Sequence, residues 1–157
     1  MISIFHNANG QITSKSYELL LKGLLSGSVE SISCENLDSG KADFVILDTR
    51  SKEEFEVSRI EGAIWVGYDE FDLTKIQSID PMKTVVVYCS VGYRSEKIGE
   101  QLLESDFAKV YNLSGGIFEW INQGYPVVDT NSQTTELIHG YSKTWGIWVN
   151  KGEKVYH

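Results

Sequence analysis

The chain has 157 residues, 41% of them hydrophobic and 23% charged, which are proportions of a globular domain with one core. A chain of this length buries roughly 68–70% of its unfolded surface on folding. Its 22 acidic against 14 basic side chains leave a net charge of −8 with no basic tract, so the expectation is no nucleic acid partner.

In chain order, the opening "MISIFHNANGQITSK" lacks the basic start and apolar stretch of a signal peptide. No apolar run approaches the roughly 20 residues that span a bilayer, so no membrane partner is expected. "SKSYELLLKGLLSG" repeats apolar residues at helical spacing from Ser14 and stops at Gly27. "ISCENLDSG" predicts a short helix capped by Ser33 and closed by Gly40. "FVILDTR" predicts a strand at 44–47, and Ser51 with Glu54 forms a capping-box pattern for the next helix. "GAIWVG" predicts a strand at 63–66, followed by a polar, acidic connection through Lys83.

"TVVVY" is a continuous β-branched run, as in a parallel sheet covered on both faces. A helix follows over "SEKIGEQLLESDF", with Ile98, Leu102 and Leu103 on one side, then a strand in "KVYNL". "GGIFEWINQG" predicts a helix that turns Ile117, Trp120 and Ile121 inward and stops at Gly124 and Pro126. This alternation predicts an α/β fold with a mostly parallel sheet. "DTNSQTTE" predicts a polar linker, and "WGIWVNKGEKVYH" predicts a β-hairpin around an Asn-Lys-Gly-Glu turn. Three segments follow: an N-terminal helical extension at 1–30, a main domain at 31–128 and a C-terminal extension at 129–157.

Cys34 and Cys89 form no disulfide framework and match no zinc spacing, so a reduced, cytoplasmic setting is expected, with no metal and no cofactor. Cys89 directly follows the "VVVY" run, where open α/β sheets bind ligands. If Ser95 opens a helix, backbone N–H groups of the loop converge with the helix dipole on one centre that attracts anions. Gly92 lets the loop curl, and Arg94 adds a permanent charge with a planar fork. A free cysteine has a pKa of about 8.5, and lowering such a value by two units takes roughly 2.7 kcal/mol, within reach of such a nest. The histidines His6, His139 and His157 lie far from Cys89 in sequence, so a Cys–His arrangement is disfavoured.

These residues carry a family likeness. "CSVGYRS" resembles the active-site loop of rhodanese-like sulfurtransferases, "LDTRSKEEFEVSRIEGAIWV" resembles their N-terminal signature, and "GGIFEWINQGYPVV" resembles their C-terminal one. The resemblance covers about Ile32 to Val128. It implies a rhodanese domain, an α/β fold whose five-stranded sheet is mostly parallel and flanked by helices. It also implies that Cys89 accepts sulfur from thiosulfate or another persulfide donor and passes it to cyanide or a thiol. Ser90, Val91, Gly92, Tyr93, Arg94 and Ser95 would surround the transferred sulfur, with Arg94 steering the anionic donor. Asp48 and Arg50 fall on a signature pair, read mainly as ties between the strand end and neighbouring loops. Arg59 reads as a surface charge, and Cys34 as a bystander. The alternatives are a persulfide carrier serving a protein acceptor and, on the same scaffold, a phosphatase or arsenate reductase. The last is disfavoured because the stretch between Cys89 and Arg94 is one residue shorter than in the phosphatase relatives. The roles of Trp145, Trp148 and Tyr156 stay open between packing and partner binding.

Overall fold

The computed structural model describes residues 12–157. His6 and most of the opening stretch read for a signal lie outside the described residues. Helix α1 (Lys15–Leu24) starts where Ser14 Oγ accepts the Tyr17 N–H, and it buries Tyr17 and Leu21. It ends short of Gly27 because the Glu96 carboxylate accepts the N–H groups of Ser26 and Gly27, each at 3.0 Å, drawing the chain off the helical path.

After β1 (Glu30–Ile32), Ser33 caps α2 (Cys34–Gly40), and β2 (Val45–Asp48) runs into α3 (Lys52–Val57). The Ser51/Glu54 capping box forms as its spacing requires. Next come β3 (Ile64–Trp65) and a single 3₁₀ turn at Leu73–Ile76 that buries Ile76 in the connection read as merely polar. Then follow β4 (Thr84–Tyr88), α4 (Tyr93–Glu104), β5 (Lys109–Leu113) and α5 (Gly116–Asn122). The five strands form one parallel sheet in the order β1-β5-β4-β2-β3. Central β4 explains its own composition. Val86 and Tyr88 pack with α1, α2 and α5, while Val85 and Val87 pack with Ile98 and Leu102 of α4. Both faces are covered, which is what a continuous apolar run needs.

The C-terminal region departs from expectation. The stretch read as a linker pairs β7 (Thr134–Thr135) antiparallel with β6 (Val127–Val128). The predicted hairpin is absent: β8 (Leu137–His139) and β9 (Glu153–Val155) pair in parallel, joined through α6 (Lys143–Gly146). Trp145 therefore lies on a helix, whose start is capped by Ser142. The physical reason is a packing need the alternation hid. Tyr156 lies so close to Gly140 and Gly146 that a Cβ at Gly140 would meet its ring at 2.7 Å. Parallel pairing places that ring between the two glycines. Trp148 stacks on Tyr17 of α1 at 5.3 Å, and Tyr17, Leu21, Ile138 and Val149 share one core cluster with Trp120.

Candidate active site

Strand β4 ends directly before Cys89, and Gly92 (φ 121°) precedes α4. That helix opens at Tyr93 rather than Ser95, because the left-handed Gly92 lets the turn close two residues earlier without a side-chain cap. Cys89 Sγ accepts the Gly92 N–H at 3.1 Å. The single hydroxyl proton of Ser95 has three acceptors in reach: Asn112 Oδ1 at 2.6 Å, Gly92 O at 3.1 Å and Cys89 Sγ at 3.5 Å. Asn112 also donates to Gly92 O at 2.9 Å, which fixes the turn. Among the described residues, the N–H groups of Ser90, Val91, Tyr93, Arg94 and Ser95 have no acceptor. For the last three this is the ordinary state of a helix's first turn.

The loop is held from behind by α5. Ile117 N–H donates to Cys89 O at 2.9 Å and Phe118 N–H to Ser90 O at 3.2 Å. Gly116 (φ 63°) sits so close that a Cβ there would meet Cys89 O at 2.6 Å and collide with Ser90 O. The paired glycines thus let a helix start press on the loop backbone.

Arg94, which lines the well beside Cys89, has a partner within the protein. Its Nη1 and Nη2 pair with both Glu54 oxygens at 2.8 and 2.9 Å, and Nη2 also donates to Ser90 Oγ. Burial disfavours the Arg94 charge, but Glu54 outweighs it and holds the guanidinium above its usual range. Burial likewise opposes the Glu54 charge, yet Arg94 wins and brings the carboxyl down to about 2. Glu54 was legible only as a helix cap. Its second role needs the fold, which carries α3 to the cysteine loop.

Asp48 and Arg50 are completely buried. Arg50 Nη2 donates to Asp48 Oδ2 at 2.7 Å and to Ser58 O at 2.6 Å, and Tyr88 OH donates to the same carboxylate oxygen at 2.6 Å. The pair ties the ends of β2 and β4 to the loop after α3. Arg59 lies elsewhere: it stacks over Phe55 at 4.4 Å, and its backbone bridges Val128.

Cys89 is only 1% exposed, yet it lines a well of about 160 Å³ walled by Leu24, Val91, Tyr93, Tyr141 and Trp145. With water's share near 30 Å³, the well takes about five waters, or one small group. Leu24, Tyr141 and Trp145 come from outside the signature region, and of these only Trp145 had a role the sequence left open. His139, set aside for its sequence distance, faces a neighbouring cleft that also contains Glu54 and Arg94. Burial lowers its pKa from 6.5. Among the described residues no cluster of three or more His, Cys, Asp or Glu could hold a metal, and no helix is long and apolar enough to cross a membrane.

Comparison with known proteins agrees with this geometry. Residues 34–123 match the rhodanese-like domain model. A rhodanese-related protein from Thermoplasma volcanium superposes with TM-score 0.57 and 30% identity, over 62% of this chain and 96% of that one. A thiosulfate sulfurtransferase from Pseudomonas aeruginosa superposes with TM-score 0.59 and 27% identity, over 76% of this chain and 23% of that one. A curated relative from Cytophaga hutchinsonii, named tRNA uridine(34) hydroxylase, is 40% identical over 87 residues, or 52% of this chain and 28% of its own. The chain spans about a third or less of the length of the curated relatives it matches. Their name corrects the expectation that nucleic acid is excluded. A whole-chain charge balance says nothing about where a larger protein holds RNA. The matched segment covers more than half of the chain and contains the cysteine loop, and the chain belongs to the rhodanese-like domain family.

Proposed function

We propose that the protein is a sulfurtransferase of the thiosulfate sulfurtransferase type, working through a persulfide on Cys89. The observation that carries this reading is Cys89 Sγ at the mouth of β4, bonded to the Gly92 N–H at 3.1 Å beside the amides of Ser90, Val91 and Tyr93 to Ser95, which have no acceptor among the described residues. Such amides stabilise a sulfur anion without reorganising during the reaction. The Cys89 thiolate attacks the outer sulfur of thiosulfate, the S–S bond of the donor breaks, and sulfite leaves with its electron pair. Cyanide or a thiol then attacks the outer sulfur of the persulfide, and Cys89 Sγ leaves as thiolate. Sulfur is transferred in two displacements, as covalent catalysis requires.

In this reading Ser90 to Ser95 supply the cradle. Arg94 holds the loop through Glu54, and Asp48 with Arg50 position the strand ends. A transfer to a protein thiol gains support from the same Arg94 pairing, since among the described residues the one cation lining the well is already paired with Glu54. The likeness to relatives named tRNA uridine(34) hydroxylase supports a second reading, in which this domain serves a reaction on tRNA. Incubation in air with tRNA unmodified at uridine 34 and an added reductant tests it, since one oxygen gained at that base from dioxygen, the other leaving as water, is its signature and no gain contradicts it. The main test is single turnover. The protein is loaded with thiosulfate, freed of excess donor and given cyanide. About one thiocyanate per chain is expected, with none from Cys89→Ser; no release with any of several donors contradicts the proposal.

A further inference from the structure

We infer that the acidic cleft beside the Cys89 well docks a basic, cysteine-bearing segment of a partner protein and brings its thiol to Cys89. This rests on the persulfide reading above and names the class of partner for it. The cleft holds about 640 Å³ and joins the well through Tyr93, Arg94 and Tyr141, which line both. Glu53, Asp69 and Glu70 are exposed on its walls and belong to none of the ion pairs of the described residues. Among the described residues no lysine lines it, and its arginine is committed to Glu54. The ring of Tyr68 adds a face for a cationic side chain, while Tyr141 and Tyr93 already carry Arg94 and Lys97 of the protein itself.

His139 supplies the independent sign of a ligand. It is 8% exposed and lines the cleft. Its Nδ1 accepts the Tyr141 N–H at 3.0 Å, which places the proton of the neutral ring on Nε2. Among the described residues Nε2–H has no acceptor and the atom is not sealed from solvent, so on this largely buried residue the donor is free for a group from outside. A main-chain carbonyl of an extended segment meets that need. The well, at about 160 Å³, has room for one short side chain, and the occupant inferred is a chain with its cysteine inserted there and its cations in the cleft. Transfer then breaks the bond between Cys89 Sγ and the outer sulfur, forms one from that sulfur to the partner's thiolate, and leaves Cys89 as thiolate with no net oxidation.

The test uses disulfide exchange, which needs docking but no sulfur transfer. Two peptides of equal length carry a central cysteine activated as a mixed disulfide with an aromatic thiol, one flanked by Lys and Arg, the other by Glu and Asp. Cys89 attacks the peptide sulfur and expels the aromatic thiolate, whose release is followed in a Cys34→Ala background. At low salt the basic peptide is expected to react about tenfold faster or more, and the ratio shrinks at high salt. Combining Glu53→Gln, Asp69→Asn and Glu70→Gln should bring the ratio close to one. Combining Glu35→Gln, Asp43→Asn and Glu104→Gln, an equal charge change away from the cleft, should leave most of it. A wild-type ratio of one or below, or equal losses in the two triple variants, overturns the inference. A clear ratio with no persulfide loading defeats the persulfide reading instead, and loading without a ratio defeats only the cleft.

Discussion

Cys34 and Cys89 are each 1% exposed, each free, and each lies at or just before the start of a helix. What surrounds them differs. Cys34 is packed into the core with Leu37 and Trp120, and burial, aided by Glu119, pushes its thiol up to about 12. Cys89 accepts a hydrogen bond from an amide, lies beside further amides that have no acceptor among the described residues, and opens on a well. Fractional burial therefore does not separate an inert thiol from a reactive one. Donors aimed at the sulfur and space in front of it do.

The largest test of this contrast is turnover. Cys89→Ser should abolish thiocyanate formation, while Cys34→Ala should keep it and lose about 1 kcal/mol of stability for one missing buried atom. Equal losses of activity would erase the distinction. Next is the loop's support. Gly116→Ala drives a methyl into the carbonyls of Cys89 and Ser90 at a left-handed backbone position, and should cost about 2–4 kcal/mol in denaturant unfolding. Sulfur transfer should fall with it.

Glu54→Gln removes one partner of a largely buried ion pair and should cost about 2–4 kcal/mol. The sign of the pH effect follows from the depressed carboxyl. Its folded value of about 2 lies below the ordinary 4.5, so its stabilisation is full above about pH 4.5 and is lost as pH falls toward 2. The whole shift corresponds to roughly 3 kcal/mol. Glu54→Gln should flatten that acid limb of the stability profile, and an unchanged limb would remove Glu54 from the account. Smallest of all, Arg59→Ala loses a stacking contact worth about 0.5–1 kcal/mol and should leave turnover intact.

The layered α/β core and the cysteine loop were legible because local physics carries them. The β-branched run of β4, the Ser51/Glu54 box and the glycine before α4 each act within a few residues. The central strand's two covered faces follow from its composition alone. Strand β1 went unread because its short "ESI" has no periodicity to detect. The parallel β8–β9 pair went unread because Tyr156 finds Gly140 and Gly146 only in three dimensions. The site divides in the same way. Cys89 and its amides are a sequence feature, whereas the Arg94–Glu54 pair joins residues forty positions apart. The well's walls come from Leu24 of α1 and from Tyr141 and Trp145 near the other end of the chain. Charge balance failed as a guide to partners because it sums over the whole surface.

The most direct measurement is the mass of the two cysteine-containing peptides after the intact protein has met thiosulfate or another persulfide donor. The account predicts one added sulfur on the Cys89 peptide and none on the Cys34 peptide. An unmodified Cys89 peptide with every donor tried, or sulfur found on Cys34 instead, would contradict it.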